Sequence, residues 1–119
     1  MIINSEDVKA LFLCNKRVDF RRQIDGLVSY IVHGFNRDVL DKSLFVFVSG
    51  DHKKLKMIYY DGSGFWLLTK RMEKGKFKMK FGNESMLNSL TKNWLSYLLE
   101  GFDYESKNID KIKEKSYLL

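Results

Sequence analysis

The chain has 119 residues, of which 45% are hydrophobic, 14% aromatic and 30% charged. This length is sufficient for one domain with a packed core, and the composition excludes collagen-like, low-complexity and wholly disordered chains. The formal net charge of +6 favours an anionic partner, and the single cysteine, Cys14, excludes an internal disulfide and favours a reducing compartment, the cytoplasm. Charges interrupt the apolar residues of the N-terminal region, so we expect neither a signal peptide nor a membrane span.

The N-terminal third predicts one strand and one helix. Residues 11–14 form a short apolar run, and we expect a strand or an extended segment there. Apolar residues then recur at helical spacing from Phe20 to Val32. Asp19 is the predicted N-cap of this helix, and Gly34 is expected to end it.

Two arginines, Arg21 and Arg22, fall in the predicted first turn of this helix. The helix dipole is already positive there and disfavours cations. One interpretation is an anion site built from both guanidinium groups and the free N–H groups of the turn. The other is an ion pair of Arg21 with Asp25, with Arg22 solvated.

Residues 43–81 have the chemistry of strands. Apolar stretches at 43–48, 55–60, 65–72 and 77–81 are rich in β-branched and aromatic residues and are separated by turns. The Asp-Gly pair in the second turn is a strong hairpin signal, because its glycine accepts the positive φ that a type I′ turn requires. We therefore predict an antiparallel meander, with Trp66 facing the core.

The C-terminal part predicts a second amphipathic helix after Thr91, with Trp94 and Leu98 on its apolar face and Gly101 at its end. The expected fold is α+β, with an antiparallel meander of four to five strands and the two helices packed on one face. We expect a single domain over residues 1–104 and a lysine-rich tail over 105–119.

The excess of positive charge is concentrated between His52 and Lys80, a stretch that contains nine basic and two acidic residues. Lysines alternate with apolar residues in two of the predicted strands, so we expect them to project from one face, where a polyanion would relieve their mutual repulsion. A solvated basic face is the alternative. The candidate nucleic-acid-binding residues are Arg21, Arg22, Lys54, Lys56, Lys70, Arg71, Lys74, Lys76, Lys78 and Lys80.

Motifs for catalysis are scarce. His33 and His52 fall in different elements without neighbouring ligands, and Cys14 lies in an apolar run, so we predict no catalytic residue, no metal and no cofactor. A metal-assisted nuclease is the less favoured alternative; its candidate carboxylates are Asp19, Asp25, Asp61 and Glu73.

Several stretches resemble one family. The most specific is YYDGSGFWLLTKRMEKGKF at residues 59–77, supported by VDFRR at 18–22, IDGL at 24–27, LFVF at 44–47 and LLEGFDY at 98–104. These residues resemble the small TnpB-type accessory protein encoded by the second reading frame of bacterial insertion sequences of the sixty-six type. The resemblance implies a role in transposition beside a separate, larger transposase that carries the catalytic acidic residues.

The preferred function is therefore a non-catalytic accessory protein of a bacterial transposable element that binds DNA, the transposase or both. The alternative from a different class is a protein-interaction module without DNA binding, in which the aromatic hairpin docks on the transposase and the charge aids solubility.

Overall fold

The computed structural model describes residues 5–82 and 87–90, together with Asn93. Within these residues, five strands form one sheet in the order β4-β3-β2-β1-β5. They are β1 (Leu11–Cys14), β2 (Leu44–Val48), β3 (Lys54–Tyr60), β4 (Phe65–Arg71) and β5 (Leu87–Leu90). The predicted α+β class is confirmed in this broad sense, and β2, β3 and β4 form the predicted antiparallel series.

The sheet is mixed, so the prediction of a purely antiparallel meander is wrong. β1 pairs in parallel with β2, with Leu11 opposite Leu44, and antiparallel with β5. A parallel pair needs a crossover connection, which here contains the helix between β1 and β2.

The helix α1 (Ile24–Ser29) begins later than predicted and continues as a π-helical turn, Tyr30–Gly34. Asp19 does not cap it. The Asp19 carboxylate instead accepts the main-chain N–H of Arg21 at 2.9 Å, which is the Asx-turn that competes with helix formation. The helical segment ends close to its predicted end, but Gly34 is the last residue of the π-helical turn rather than the predicted C′ residue, and Phe35 is the C-cap. A short 3₁₀ turn, Ser5–Asp7, precedes β1.

Apolar side chains cover both faces of the sheet. One face, the helix side, carries Phe12, Phe45 and Phe47, which pack with Leu27 and Ile31 of the helical segment. The opposite face, the far side, is defined by Leu11, Leu13, Leu44, Val46, Val48, Leu55 and Met57. Burial on both faces explains why β1 and β2 are continuous apolar runs.

Residues 77–81 do not form the predicted sheet strand. Phe77 and Met79 are buried in the far-side cluster, and only Lys78 has an isolated bridge. The chain after β4 therefore crosses over the far side, because its apolar residues become buried there and would stay half exposed beside an edge strand.

The predicted second helix after Thr91 and the tail 105–119 lie outside the described residues, so the domain limits remain predictions. Within the part of the chain that the structure describes, no helix is long and apolar enough to span a bilayer.

Candidate nucleic-acid interface

The basic residues of the 52–80 stretch divide between the two sides of the sheet. Leu55 and Met57 face the far side, so Lys54 and Lys56, which alternate with them along β3, project to the helix side. The lysines of the later segment lie over the far side, at Lys76, Lys78 and Lys80. The prediction that these five lysines share one face is wrong, because the chain after β4 crosses onto the far side instead of continuing the sheet.

Lys56 is buried, with 6% of its surface exposed. Its Nζ donates hydrogen bonds to the main-chain carbonyls of Phe20 and Arg22, each at 2.7 Å, and lies 5.4 Å from the centre of the Phe20 ring. Burial, and secondarily the charge of Lys54, lower the pKa of Lys56. Its ammonium joins the turn before α1 to the sheet, and DNA binding by Lys56 stays a prediction.

Lys54 and Arg71 face each other directly across β3 and β4. Like charges in this position repel, and the Arg71 guanidinium forms an ion pair with Glu73 at 2.7 Å. An open groove of about 620 Å³ lies beside them and is lined by Phe20, Gln23, Lys54, Lys56, Thr69, Arg71 and Glu73. At this groove the helix side thus has two exposed cations, Lys54 and Arg71, and Arg71 is paired with the Glu73 carboxylate.

Arg21 and Arg22 precede α1, so the prediction that they occupy its first turn is wrong. Arg21 pairs with Asp19 at 2.7 Å rather than with Asp25, and this hydrogen-bonded guanidinium lowers the pKa of Asp19 to about 2. Arg22 donates to the Gly26 carbonyl at 3.3 Å, and its guanidinium carbon lies 5.1 Å from the centre of the Tyr30 ring. Both side chains are exposed but engaged with neighbouring groups.

The far side carries a different arrangement, which we call the lysine surface: Lys76, Lys78 and Lys80. All three are exposed, whereas Phe77 and Met79 between them are 1% and 6% exposed. This alternation is that of an extended chain, so the lysines project outward about 7 Å apart. Two more predicted residues, Lys70 on β4 and Lys74 in the following turn, are also exposed.

Backbone hydrogen bonds attach the lysine surface to one end of the sheet. The N–H of Phe77 donates to the His52 carbonyl at 2.7 Å, and the N–H of Gly82 donates to the Asn15 carbonyl at 2.8 Å. The His52 ring donates through Nε2 to the Met79 carbonyl at 2.9 Å. His52 therefore has a structural role, and the three lysines are carried by an anchored segment.

Sequence reasoning missed Arg17 as a neighbour of this surface. Its guanidinium carbon lies 5.5 Å from the centre of the Phe81 ring, and the same ring lies 4.8 Å from that of His52. No local pattern relates Arg17 to Phe81, because their proximity arises only when the 77–82 segment packs over the end of β1.

The opposite end of the β3–β4 hairpin presents an aromatic group. Trp66 is 41% exposed, so the prediction that it faces the core is wrong. Its indole N–H donates to the Asp61 carboxylate at 2.9 Å, and that carboxylate also accepts the N–H groups of Ser63 and Gly64. These hydrogen bonds hold the pKa of Asp61 well below its usual range and connect the indole to the turn.

Cys14 is fully buried, and burial raises the pKa of its thiol. Among residues 5–82, 87–90 and 93, no three His, Cys, Asp or Glu side chains come together as a set that could hold a metal ion.

Comparison with known proteins identifies relatives. A family model described as "IS66 Orf2 like protein" matches residues 9–109. Two proteins of Sinorhizobium fredii (strain NBRC 101917 / NGR234) are similar. "Uncharacterized protein y4jC" is 33% identical over 94 residues, covering 79% of this chain and 80% of its own length. "Uncharacterized protein y4hO" is 29% identical over 104 residues, covering 87% and 89%. No solved structure matches the chain.

Proposed function

We propose that this chain, which belongs to the IS66 Orf2-like family, is a transposition accessory protein that acts without catalysis by binding DNA through the lysine surface. The proposed partners are the DNA of the element and the transposase of the same element, and the proposed compartment is the cytoplasm.

One observation carries this proposal: three exposed lysines alternate with two buried apolar residues on an anchored, extended segment. Flexible lysines lose side-chain entropy on binding, but the backbone that carries Lys76, Lys78 and Lys80 is already ordered by the burial of Phe77 and Met79. Three positive charges spaced along one line are suited to a line of phosphates, whose charge dominates the affinity of proteins for DNA.

Charge pairing favours the far side over the helix side. Around the helix-side groove, Arg71 is paired with Glu73 and Arg21 with Asp19. No ion pair joins Lys76, Lys78 or Lys80 to another of the described residues. We therefore assign the phosphate contacts to the lysine surface, with Arg17 at its margin.

The exposed Trp66 favours a second function, docking on the transposase. The indole is held by Asp61 at the hairpin end, whereas the lysine surface is attached near the start of β3. Seven-residue strands separate these ends by about 20 Å, so one molecule has room for DNA at one end and a protein at the other.

A salt titration of duplex DNA binding tests the proposal. If three lysines neutralise three phosphates, they contribute a slope of about −2.7 to log affinity against log salt concentration. Changing both Lys76→Gln and Lys78→Gln should flatten the slope by about 1.8. Element-end and unrelated duplexes, each also tested as single strands, report sequence and strand preference.

A matched control removes the same charge elsewhere. Lys9 and Lys42 are exposed at the end of the sheet where β2 begins, joined through the Lys9 N–H and the Lys42 carbonyl. The variant with Lys9→Gln and Lys42→Gln should keep nearly the parental slope. Equal losses in the two double variants, or a parental slope near zero, would contradict the proposal.

A further inference from the structure

The strand β4 lies at one edge of the sheet. The bonds that bracket the β3–β4 hairpin identify which of its main-chain groups face outward. Asp61 donates to the Gly64 carbonyl and Met72 donates to the Lys53 carbonyl. With the observed register, every second residue of β4 then bonds to β3, namely Trp66, Leu68 and Lys70.

The intervening residues direct their N–H and C=O groups away from the sheet: Phe65, Leu67, Thr69 and Arg71. No other described strand pairs with this edge. Such an edge is a template for another strand, and natural proteins usually cover it, shorten it or charge it.

The sequence of β4 is polarised. Its first four residues, Phe-Trp-Leu-Leu, are apolar, and its last three, Thr-Lys-Arg, are polar and basic. In an antiparallel pair of two copies centred on Leu68, Trp66 lies opposite Lys70 and Phe65 lies opposite Arg71. Each cation therefore meets an aromatic ring of the other copy, an attractive pairing.

The outward main-chain groups fit the same register. With Leu68 on the two-fold axis, Leu67 of one copy lies opposite Thr69 of the other, and both present outward N–H and C=O groups. They can exchange a pair of hydrogen bonds, and Leu68 meets Leu68 in the closer, non-hydrogen-bonded position.

The charges disfavour the competing arrangement. Parallel, in-register pairing would put Lys70 against Lys70 and Arg71 against Arg71, and like charges directly opposite each other are destabilising. The antiparallel arrangement is isologous and closes as a dimer, so it does not propagate into a fibre.

We propose that β4 is a homodimerisation strand, which pairs antiparallel with β4 of a second copy about Leu68. The sheet then continues across both copies. Residues that lie opposite each other in paired strands project to the same face of the sheet. The far sides of the two copies therefore form one face of the continuous sheet, and both lysine surfaces lie on that face. The dimer itself does not depend on DNA binding.

Removal of one outward N–H tests the pairing. Thr69→Pro deletes a donor that does not bond to β3, and proline is tolerated on edge strands in this orientation. Sedimentation velocity should show the parent chain passing from monomer to dimer with concentration, and Thr69→Pro remaining a monomer. Thr69→Val keeps the N–H and should remain a dimer. A monomeric parent chain throughout the micromolar range would overturn the proposal.

Crosslinking tests the register without relying on the fold of the proline variant. In a Cys14→Ala background, Leu68→Cys places two thiols on the axis, close enough for a disulfide when diamide oxidises them. Lys70→Cys places its two thiols about 14 Å apart along the strands, too far for a disulfide. Rapid crosslinking of the first variant alone supports the proposal. Equal crosslinking of both, or none of either, contradicts it, whatever the DNA titration shows.

Discussion

The Nζ of Lys56 donates a 2.7 Å hydrogen bond to the main-chain carbonyl of Phe20, which lies 36 residues earlier in the chain. The same ammonium donates to the Arg22 carbonyl. A charged donor between two carbonyls is satisfied even though burial lowers its pKa, so this lysine joins the turn before α1 to β3.

We expect Lys56→Met to lower the free energy of unfolding by about 1.5–3 kcal/mol, because two carbonyls lose a charged donor. Lys54→Met removes the same charge from an exposed neighbour and should change stability by less than about 0.5 kcal/mol. Urea unfolding measures both. If the two variants lost the same stability, the Lys56 hydrogen bonds would have no measurable role.

The ion pair of Asp19 and Arg21 makes stability depend on pH at acid values. The folded-state pKa of Asp19 is about 2, below its ordinary value of 3.8. A lowered carboxyl pKa contributes stability that is fully present above pH 3.8 and is lost as the pH falls towards 2. The stability difference between the parent chain and Asp19→Asn should therefore shrink over that interval.

Urea unfolding at several pH values between 2 and 5 measures this difference. The Asp19–Arg21 pair is exposed, so 1 M salt should reduce the pH dependence that it causes. A difference that stays constant from pH 5 to pH 2 would contradict the assigned pair.

Substitution of Trp66 separates a docking role from a core role. Because the side chain is 41% exposed, Trp66→Ala should cost about 1–2 kcal/mol, less than the 3–5 kcal/mol typical of a buried aromatic. Thermal unfolding measures the loss, and a pull-down with purified transposase measures docking. A loss above about 3 kcal/mol would indicate a core role instead.

Phe77 connects packing to the lysine surface. Phe77→Ala should cost about 3–5 kcal/mol, since the ring is 1% exposed, and should weaken DNA binding although no charge changes. Phe77→Leu keeps most of the apolar contact and should retain both properties. DNA affinity measured well below the melting temperature distinguishes a displaced segment from an unfolded chain. Unchanged affinity of folded Phe77→Ala would show that anchoring is unimportant.

Local sequence patterns determined most of the strands and the helical segment of this protein. The density of β-branched and aromatic residues predicted β2, β3 and β4. The hairpin turn was also predicted, but its type was wrong: Gly62 and Ser63 are its central residues and only Gly62 has positive φ, whereas a type I′ turn requires positive φ at both. The helical spacing predicted the segment that ends at Gly34, although its start was wrong because Asp19 forms an Asx-turn. The resemblance at residues 59–77 identified the family, because it depends on residue identity rather than on packing.

Only the tertiary structure decided the side on which each charge lies. The alternating sequence pattern shows that Lys56 and Lys78 project in the direction opposite to that of their apolar neighbours. It does not show on which face of the sheet those apolar neighbours are buried. Lys78 lies on the far side because the chain crosses over that side after β4. Lys56 is buried on the helix side, where its ammonium donates to the carbonyls of Phe20 and Arg22. These outcomes depend on contacts between residues distant in sequence, where burial of Phe77 competes with strand pairing at an edge, and no local pattern encodes that balance.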